Sequence, residues 1–273
     1  MLKFYYFIPI LLCSCEFTTD QSVSSNSSSA YTSVCNRSVY IEYALETQLQ
    51  KECDDIDEST LDSIKKLDLS SRNISNLQKE DFDNLSEIIY LYLSNNLITS
   101  ISTGIFEDLT TLEYLSLSYN MISEVPDSAF EGVSLVELQL NNNQIAELSA
   151  TSFDGLSFRL VSGAFKSALN LHGNKLTNLP ESVFEGLDSL VDLYLSDNQI
   201  QELQTGIFND LAGLHYLHLQ NNNLTSLPEN IFSELNSLEY IDLTGNDFDD
   251  TEKDRIREEI RNLSNFSSDW DLI

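Results

Sequence analysis

Hydrophobic residues recur along this chain with a period of about 24 residues between Ile64 and Asp247, in the pattern LxxLxLxxNx(L/I). Successive repeats start 23 or 24 residues apart, except for one interval of 31 residues. The starts are Ile64, Ile88, Leu112, Leu135, Lys166, Leu190, Leu214 and Leu238. A fixed period of this length is typical of solenoids, in which each turn packs only on its neighbours. The pattern therefore predicts eight turns of one solenoid over residues 64–247.

Two further positions keep one residue type from repeat to repeat. The first repeat has Arg72 where the seven others have asparagine, at Asn96, Asn120, Asn143, Asn174, Asn198, Asn222 and Asn246. A phenylalanine follows each of seven repeat starts by eighteen residues, at Phe82, Phe106, Phe130, Phe153, Phe184, Phe208 and Phe232. The first turn is therefore atypical, as the terminal turns of solenoids usually are.

Alternation within each repeat predicts one short strand per turn. Leu91 and Leu93 would face inward and Tyr92 outward, because successive side chains of a strand point to opposite faces. An inward asparagine can both donate to and accept from the backbone where the chain leaves the strand. We therefore expect a ladder of asparagines between turns, in which a lost rung leaves buried groups unpaired at a cost of about 1–3 kcal/mol.

These residues resemble the leucine-rich repeat family in its 24-residue form, LxxLxLxxNxLxxLPxxxFxxLxx, over roughly two thirds of the chain. The LP step of that form is matched at Val125-Pro126, Leu179-Pro180 and Leu227-Pro228. The resemblance implies an α/β solenoid, a horseshoe with a parallel β-sheet on its concave face. It also implies a helical N-terminal cap and a C-terminal capping helix.

One repeat is longer than the others, with about seven extra residues near residues 157–165. Solenoids place such insertions in loops, so we expect a loop on the convex edge. A functional finger and an error in the translated gene are the alternatives.

The two ends of the solenoid are predicted to be covered by different caps. In an N-terminal cap over residues 34–63, Ile41, Leu45, Leu49 and Cys53 recur every fourth residue, as along one helix face. Cys35 precedes that helix and can pair with Cys53, closing a loop of 18 residues. The segment resembles the cap of bacterial secreted members of the family.

Residues 248–273 form the predicted C-terminal cap helix and tail. Thr251 and Asp254 have the spacing of a helix capping box. Ile256, Ile260 and Leu263 would lie on one face of that helix and cover the last repeat.

The first residues have the pattern of an export signal. Lys3 precedes an apolar run over residues 4–12, which is too short to span a bilayer. The segment ending at Cys15 resembles a bacterial lipobox, which implies a signal peptide over 1–14, lipidation of Cys15 and a Ser-rich flexible tether over 15–33. The implied location is extracellular or at the cell surface, as a bacterial outer-membrane lipoprotein, with membrane attachment only through the lipid. Ordinary cleavage near residues 13–16 with release is the alternative.

The net charge of −30 limits the kinds of molecule that the protein is expected to bind. No Lys or Arg occurs between residues 80 and 158 or between residues 176 and 252. Nucleic acid is not expected to bind, because phosphate recognition requires clustered basic residues. The charge would favour a basic protein or peptide; solubility or life in salty water explains it equally well.

The concave face is the predicted ligand-binding surface, for a protein, peptide or glycan. Tyrosines supply rigid contact area there, and neighbouring ones would touch because strands lie about 4.8 Å apart. The candidate residues are Tyr90, Tyr92, Tyr114, Tyr119, Glu137, Asp192, Tyr194, Tyr216, His218, Tyr240 and Asp242. Asp68 lies on the same face.

No catalytic site, metal site or cofactor is predicted. The chain has three His and lacks a nucleophile-elbow motif, a C-x-x-C pair and a phosphate-binding Gly loop. Acidic residues near 247–252 are explained more simply by a helix start than by calcium. Two alternatives remain: a structural cell-envelope protein without a dedicated ligand, and a secreted eukaryotic glycoprotein, for which seven N-x-S/T sites are available.

Overall fold

A computed structural model describes residues 34–160 and 167–263 of the chain. The predicted signal peptide, the lipidation site at Cys15 and the tether lie outside these residues, as do 161–166 of the insertion and the tail after residue 263. Within the described ranges, no helix combines the length and apolar character that crossing a bilayer would require.

The described chain winds as a solenoid around one parallel sheet, as the periodicity predicted. The strands in chain order are β1 (Lys66–Asp68), β2 (Tyr90–Tyr92), β3 (Tyr114–Ser116), β4 (Glu124–Val125), β5 (Ser134–Leu135), β6 (Glu137–Gln139), β7 (Glu147–Leu148), β8 (Ser157–Phe158), β9 (Ala168–Asn170), β10 (Asp192–Tyr194), β11 (Tyr216–His218) and β12 (Tyr240–Asp242). The main sheet has eight strands in the order β1-β2-β3-β6-β9-β10-β11-β12. Two short parallel ladders, β4 with β7 and β5 with β8, lie outside it.

Each strand of the main sheet buries its central residue. Leu67, Leu91, Leu115 and Leu138 stand in register on successive strands and are fully buried. Behind them the repeated phenylalanines stack from turn to turn, with ring centroids 6.1 Å apart for Phe106 and Phe130. The hydrophobic core is therefore continuous from turn to turn, and the strand leucines and the repeated phenylalanines are two of its layers.

The asparagine ladder is present, and Asn120 illustrates its geometry. Its Nδ2 donates to the carbonyl of Leu117 in its own turn at 3.0 Å and to that of Leu93 in the preceding turn at 2.9 Å. Its Oδ1 accepts from the backbone N–H of Ile98 at 3.1 Å. The other six repeated asparagines make equivalent bonds. Each asparagine thus satisfies backbone groups of two turns.

The insertion begins later in the chain than the spacing suggested. Phe158 pairs with Leu135 in the β5–β8 ladder and is only 6% exposed, so it fills the apolar repeat-start position that was assigned to Lys166. Ser157 and Phe158 are therefore part of the solenoid and not of a loop. The chain rejoins the sheet at Ser167, whose Oγ donates to the carbonyl of Arg159 at 2.6 Å. By sequence position, residues 159–166 are therefore the inserted segment, which directly precedes Ser167 and β9.

The N-terminal cap contains helices α1 (Val39–Leu49) and α2 (Glu58–Leu61) and 3-10 helices at Val34–Asn36 and Cys53–Asp55; another 3-10 helix covers Lys79–Phe82. Ile41 and Leu45 are buried, as predicted from their spacing. Cys53 does not continue that helix, because α1 ends at Leu49 and Gln50 takes a left-handed conformation with φ 54°. A disulfide bond joins Cys35 to Cys53.

The C-terminal cap is helix α3 (Asp250–Arg261), which buries Ile256 and Ile260. The predicted Thr251–Asp254 capping box is wrong, because the helix begins two residues earlier than that motif required. Asp249 is the N-cap residue, and its carboxylate accepts from the backbone N–H of Glu252 at 2.8 Å. The carboxylate of Glu252 accepts instead from the N–H of Leu227 at 2.8 Å, which ties the helix to the repeat that starts at Leu214.

Candidate functional site

The outer surface of the main sheet is the candidate site, and we call it the sheet face. It consists of the first and third residues of the eight strands, which point away from the buried central residues. These residues are Lys66, Asp68, Tyr90, Tyr92, Tyr114, Ser116, Glu137, Gln139, Ala168, Asn170, Asp192, Tyr194, Tyr216, His218, Tyr240 and Asp242. Ten of the eleven predicted ligand-binding residues lie on this face, and Tyr119 does not.

The first aromatic cluster comprises Tyr90, Tyr92 and Tyr114. The rings of Tyr90 and Tyr114 stack across adjacent strands, with centroids 4.7 Å apart and planes 13° from parallel. Tyr92 stacks on Tyr90 along the same strand, with centroids 6.5 Å apart. Lys66 on β1 places its Nζ 4.7 Å from the centroid of the Tyr92 ring. This cluster therefore already holds a cation of the same chain against an aromatic ring.

The second aromatic cluster comprises Tyr194, Tyr216, His218 and Tyr240. Tyr194 stacks on His218, with centroids 4.4 Å apart and planes 8° from parallel. Tyr240 lies 5.2 Å from His218 at a tilt of 44° and 6.3 Å from Tyr216 at a tilt of 34°. The stacked neighbour of Tyr194 is a histidine, because the register places Tyr194 opposite His218.

The two clusters are separated by polar residues of β3, β6 and β9. Ser116, Glu137 and Gln139 line a cavity of about 300 Å³ together with Tyr92 and Tyr114. Gln139 also accepts through its Oε1 from the side-chain amide of Asn170 at 2.9 Å. The sheet face is therefore two aromatic areas with a hydrogen-bonding groove between them. Glu137 was in the predicted site, whereas Ser116, Gln139 and Asn170 were not, although they stand at the same outward positions of their repeats.

Tyr119 occupies a different surface from the other predicted tyrosines. It lies three residues beyond the end of β3, has a φ of 55° and is 55% exposed. Leu97 and Met121 are exposed as well, at equivalent positions of successive repeats. Tyr119 thus belongs to the loops that follow the strands.

Burial shifts the pKa of four tyrosines and of the histidine of the sheet face toward their neutral forms. It is the largest cause of a raised pKa at Tyr92, Tyr114, Tyr194 and Tyr240, and neighbouring acidic groups raise these values further. The pKa of His218 is lowered by burial, and the nearby carboxylate of Asp242 opposes that shift. Carboxylates of Asp68, Glu137, Asp192 and Asp242 provide the negative charges of the face. The arrangement offers ring faces and hydrogen-bond acceptors to a ligand.

An asparagine ladder between turns of a parallel-sheet solenoid defines a repeat protein. The chain belongs to the leucine-rich repeat family: the family model described as leucine rich repeat matches residues 62–122, 110–159, 167–206 and 189–248, more than half of the chain. Members of this family are typically binding proteins without enzymatic activity. No curated protein matches the sequence.

Two similar solved structures support the fold. One is a chain from the octameric complex of Latrophilin 3, Unc5D and FLRT2, in which FLRT2 is the component labelled LRR. The match has a TM-score of 0.52 and 25% identity and covers 74% of this chain and 68% of that chain. The other is a chain from the TLR13–ssRNA13 complex, with a TM-score of 0.51 and 25% identity, covering 69% of this chain and 30% of that chain.

Proposed function

We propose that this protein is exported and binds a polypeptide partner on its sheet face. The observation that carries the proposal is the presence of six tyrosines and one histidine on rigid, adjacent strands of that face. Tyrosine and histidine rings add contact area at a small cost in conformational entropy, because strand packing already restricts them. One of the two similar structures is a complex between proteins, which also favours a protein partner.

The dimensions of the sheet face suit a protein or peptide. Eight strands spaced about 4.8 Å apart span roughly 34 Å, which is enough to contact an extended segment or the surface of a folded domain. The polar groove between the aromatic clusters supplies hydrogen-bonding side chains at the centre of that span. A binding surface with a polar centre and aromatic areas on both sides can thus recognise both backbone and side chains of a partner.

A surface location through a lipid at Cys15 is the second part of the proposal. It is supported by Lys3, the apolar run over residues 4–12 and the position of Cys15. The disulfide between Cys35 and Cys53 agrees with an oxidising compartment outside the cytosol. The intact mass of the mature protein tests this part. We expect loss of residues 1–14 and an added diacylglycerol; a lipid-free chain carrying N-glycans would make it a secreted eukaryotic protein.

Partner capture from the surface proteins of the source cell tests the binding proposal. Wild-type protein, a Tyr92→Ala/Tyr216→Ala variant and a Tyr43→Ala control are immobilised at equal density, and the captured proteins are quantified. Tyr43 is the matched control, because it is 60% exposed on α1 and lies off the sheet face. We expect the double variant to lose its captured partner and the control to retain it.

Equal capture by all three proteins would overturn the binding proposal and favour a structural role in the envelope. Thermal unfolding of each variant shows whether a loss of capture reflects a loss of fold. The same three proteins are also tested on a glycan array. If they bind a glycan and capture no protein, the sheet face remains the binding site but its ligand is a glycan.

A further inference from the structure

We propose that the second aromatic cluster is a subsite for an arginine side chain of the partner. This inference rests on the proposed binding function of the sheet face and specifies one contact within it. The subsite consists of Tyr194, Tyr216, His218 and Tyr240, with carboxylates at both of its edges. The guanidinium would stack on the rings and face those carboxylates.

The first aromatic cluster shows that a cation fits this kind of surface. Lys66 Nζ lies 4.7 Å from the centre of the Tyr92 ring, within the range of a cation–π contact. The two clusters are built alike, because each has stacked rings on adjacent strands of one sheet. Only the first is supplied with a lysine from the neighbouring strand.

The second cluster has no lysine or arginine on its own strands. None occurs between residues 176 and 252, the stretch that contains β10, β11 and β12. His218 is kept neutral at physiological pH because burial lowers its pKa. The strands of the second cluster thus supply no lysine or arginine to their rings, in contrast to β1 at the first cluster.

Acidic groups are placed to add to that attraction. The register sets Asp192 beside Tyr216 and Asp242 beside His218, so a carboxylate borders the rings on either side. Asp242 is held in position, since its Oδ1 accepts from the backbone N–H of Thr244 at 2.9 Å and from its hydroxyl at 2.7 Å. The hydroxyl of Tyr216 donates to Glu239 Oε2 at 3.2 Å, which places a third carboxylate next to the cluster.

The combination of aromatic rings and carboxylates in this cluster favours arginine over lysine. A guanidinium is planar, stacks on aromatic rings and donates to carboxylates through several N–H groups, whereas an ammonium is a more strongly hydrated point charge. The expected preference is therefore for Arg-containing segments over otherwise identical Lys-containing ones.

The test uses the full mature chain and three synthetic peptides of equal length, with glycine alternating with arginine, lysine or citrulline. Citrulline keeps the shape of arginine without its charge. Affinity is measured by isothermal titration calorimetry for wild type, Tyr194→Leu/Tyr240→Leu and the control Tyr40→Leu/Tyr43→Leu, whose tyrosines are exposed on α1 and lie off the sheet face. Leucine retains apolar bulk and removes the ring quadrupole. Contacts between the arginine side chains and the Tyr240 ring are mapped on the wild-type protein by NMR.

We expect the arginine peptide to bind more tightly than the lysine peptide, and the citrulline peptide to bind least. Loss of Tyr194 and Tyr240 should weaken arginine binding by about 3- to 30-fold, the range of a cation–π contact. The control variant should bind as wild type does. Equal affinity of wild type and Tyr194→Leu/Tyr240→Leu, or NMR contacts located away from Tyr240, would overturn the subsite and assign binding to the general negative charge.

The failure of this inference is distinguishable from failure of the proposed function. In one outcome, capture of the natural partner depends on the sheet-face tyrosines while the affinity for the arginine peptide does not depend on the second cluster. In that case only the subsite is wrong. If capture is unaffected by those tyrosines, the proposed function is wrong whatever the peptide does.

Discussion

The ring of Tyr194 lies parallel to the imidazole of His218, with their centroids 4.4 Å apart and an angle of 8° between their planes. Burial lowers the pKa of His218 below its ordinary value of 6.5, although Asp242 acts in the opposite direction. Tyr240 is the other aromatic neighbour of the imidazole. The neutral imidazole is therefore the form that this stacked arrangement favours.

A pH dependence of stability follows from the lowered pKa of His218. Its contribution is fully present above the unfolded-state pKa of about 6.5 and is lost as the pH falls through the lower folded-state pKa. We expect His218→Phe, which keeps a stacked ring and removes the titration, to lose less stability than wild type on acidification from about pH 7 to about pH 5. Urea unfolding over this range measures the difference. An NMR titration that gives His218 a pKa at or above 6.5 would contradict the prediction.

Loss of one asparagine of the ladder should destabilise the solenoid strongly. Asn120→Ala leaves the N–H of Ile98 without its partner. It also removes one of two amide donors from the carbonyls of Leu93 and Leu117, which keep those of Asn96 and Asn143. An unpaired buried group costs about 1–3 kcal/mol, so we expect a loss of about 2 kcal/mol. Chemical unfolding measures this loss. The exposed Asn209→Ala is the control and should stay within about 0.5 kcal/mol of wild type. Similar losses in both variants would refute the ladder's role.

The disulfide should stabilise the N-terminal cap chiefly by restricting the unfolded chain. Cys35 and Cys53 are separated by 18 positions, and closing a loop of this length is worth about 3 kcal/mol in the chain-entropy account. We expect Cys35→Ala/Cys53→Ala to lose roughly that amount in urea unfolding under oxidising conditions. Addition of a reductant should lower the free energy of unfolding of the wild type to that of the variant. A reductant that leaves wild-type stability unchanged would argue against the bond.

Removal of residues 159–166 should leave the fold intact. After this deletion Leu169 follows Phe158 by three positions, as Leu138 follows Leu135, so the regular repeat is restored. The deletion also removes the exposed ion pair between Arg159 and Glu113, which is worth less than about 1 kcal/mol. Circular dichroism and urea unfolding should therefore resemble those of wild type.

The control for this deletion removes the same number of residues, 157–164. It would set Lys166 in the buried position of Phe158, and we expect it to unfold, since an unpaired charge in the core is costly. If the two deletions behave alike, the assignment of Phe158 to the repeat-start position is wrong.

The periodic part of the structure could be predicted from the sequence because each position in a solenoid meets the same neighbours in every turn. The inward leucines, the stacked phenylalanines and the asparagine ladder all follow from that rule. The start of α3 could not be placed in this way. Both Asp249 and Thr251 are good N-cap residues, and the contact of Glu252 with Leu227, in the repeat that starts at Leu214, favours the earlier start.

The predicted start of the insertion was wrong for a related reason. Spacing alone assigned the repeat start to Lys166, whereas burial selected Phe158, because an apolar residue is favoured at a core position. The division of the sheet face into two aromatic clusters was available from the sequence, in the polar outward residues of β6 and β9. The stacking of Tyr194 on His218 was not, since side-chain rotamers on a sheet depend on cross-strand contacts.

The N-terminal cap is joined to the repeats by polar contacts of Arg37 and Asp81. The guanidinium of Arg37 donates to the carbonyls of Asp81 and Asp83, and the carboxylate of the buried Asp81 accepts from the N–H groups of Ser38 and Gln78. Tension applied at Val34 would meet the covalent link at Cys35 first and this polar junction next. Force applied at the start of the described chain would thus load the cap and its junction with the repeats before it loaded the strands of the main sheet.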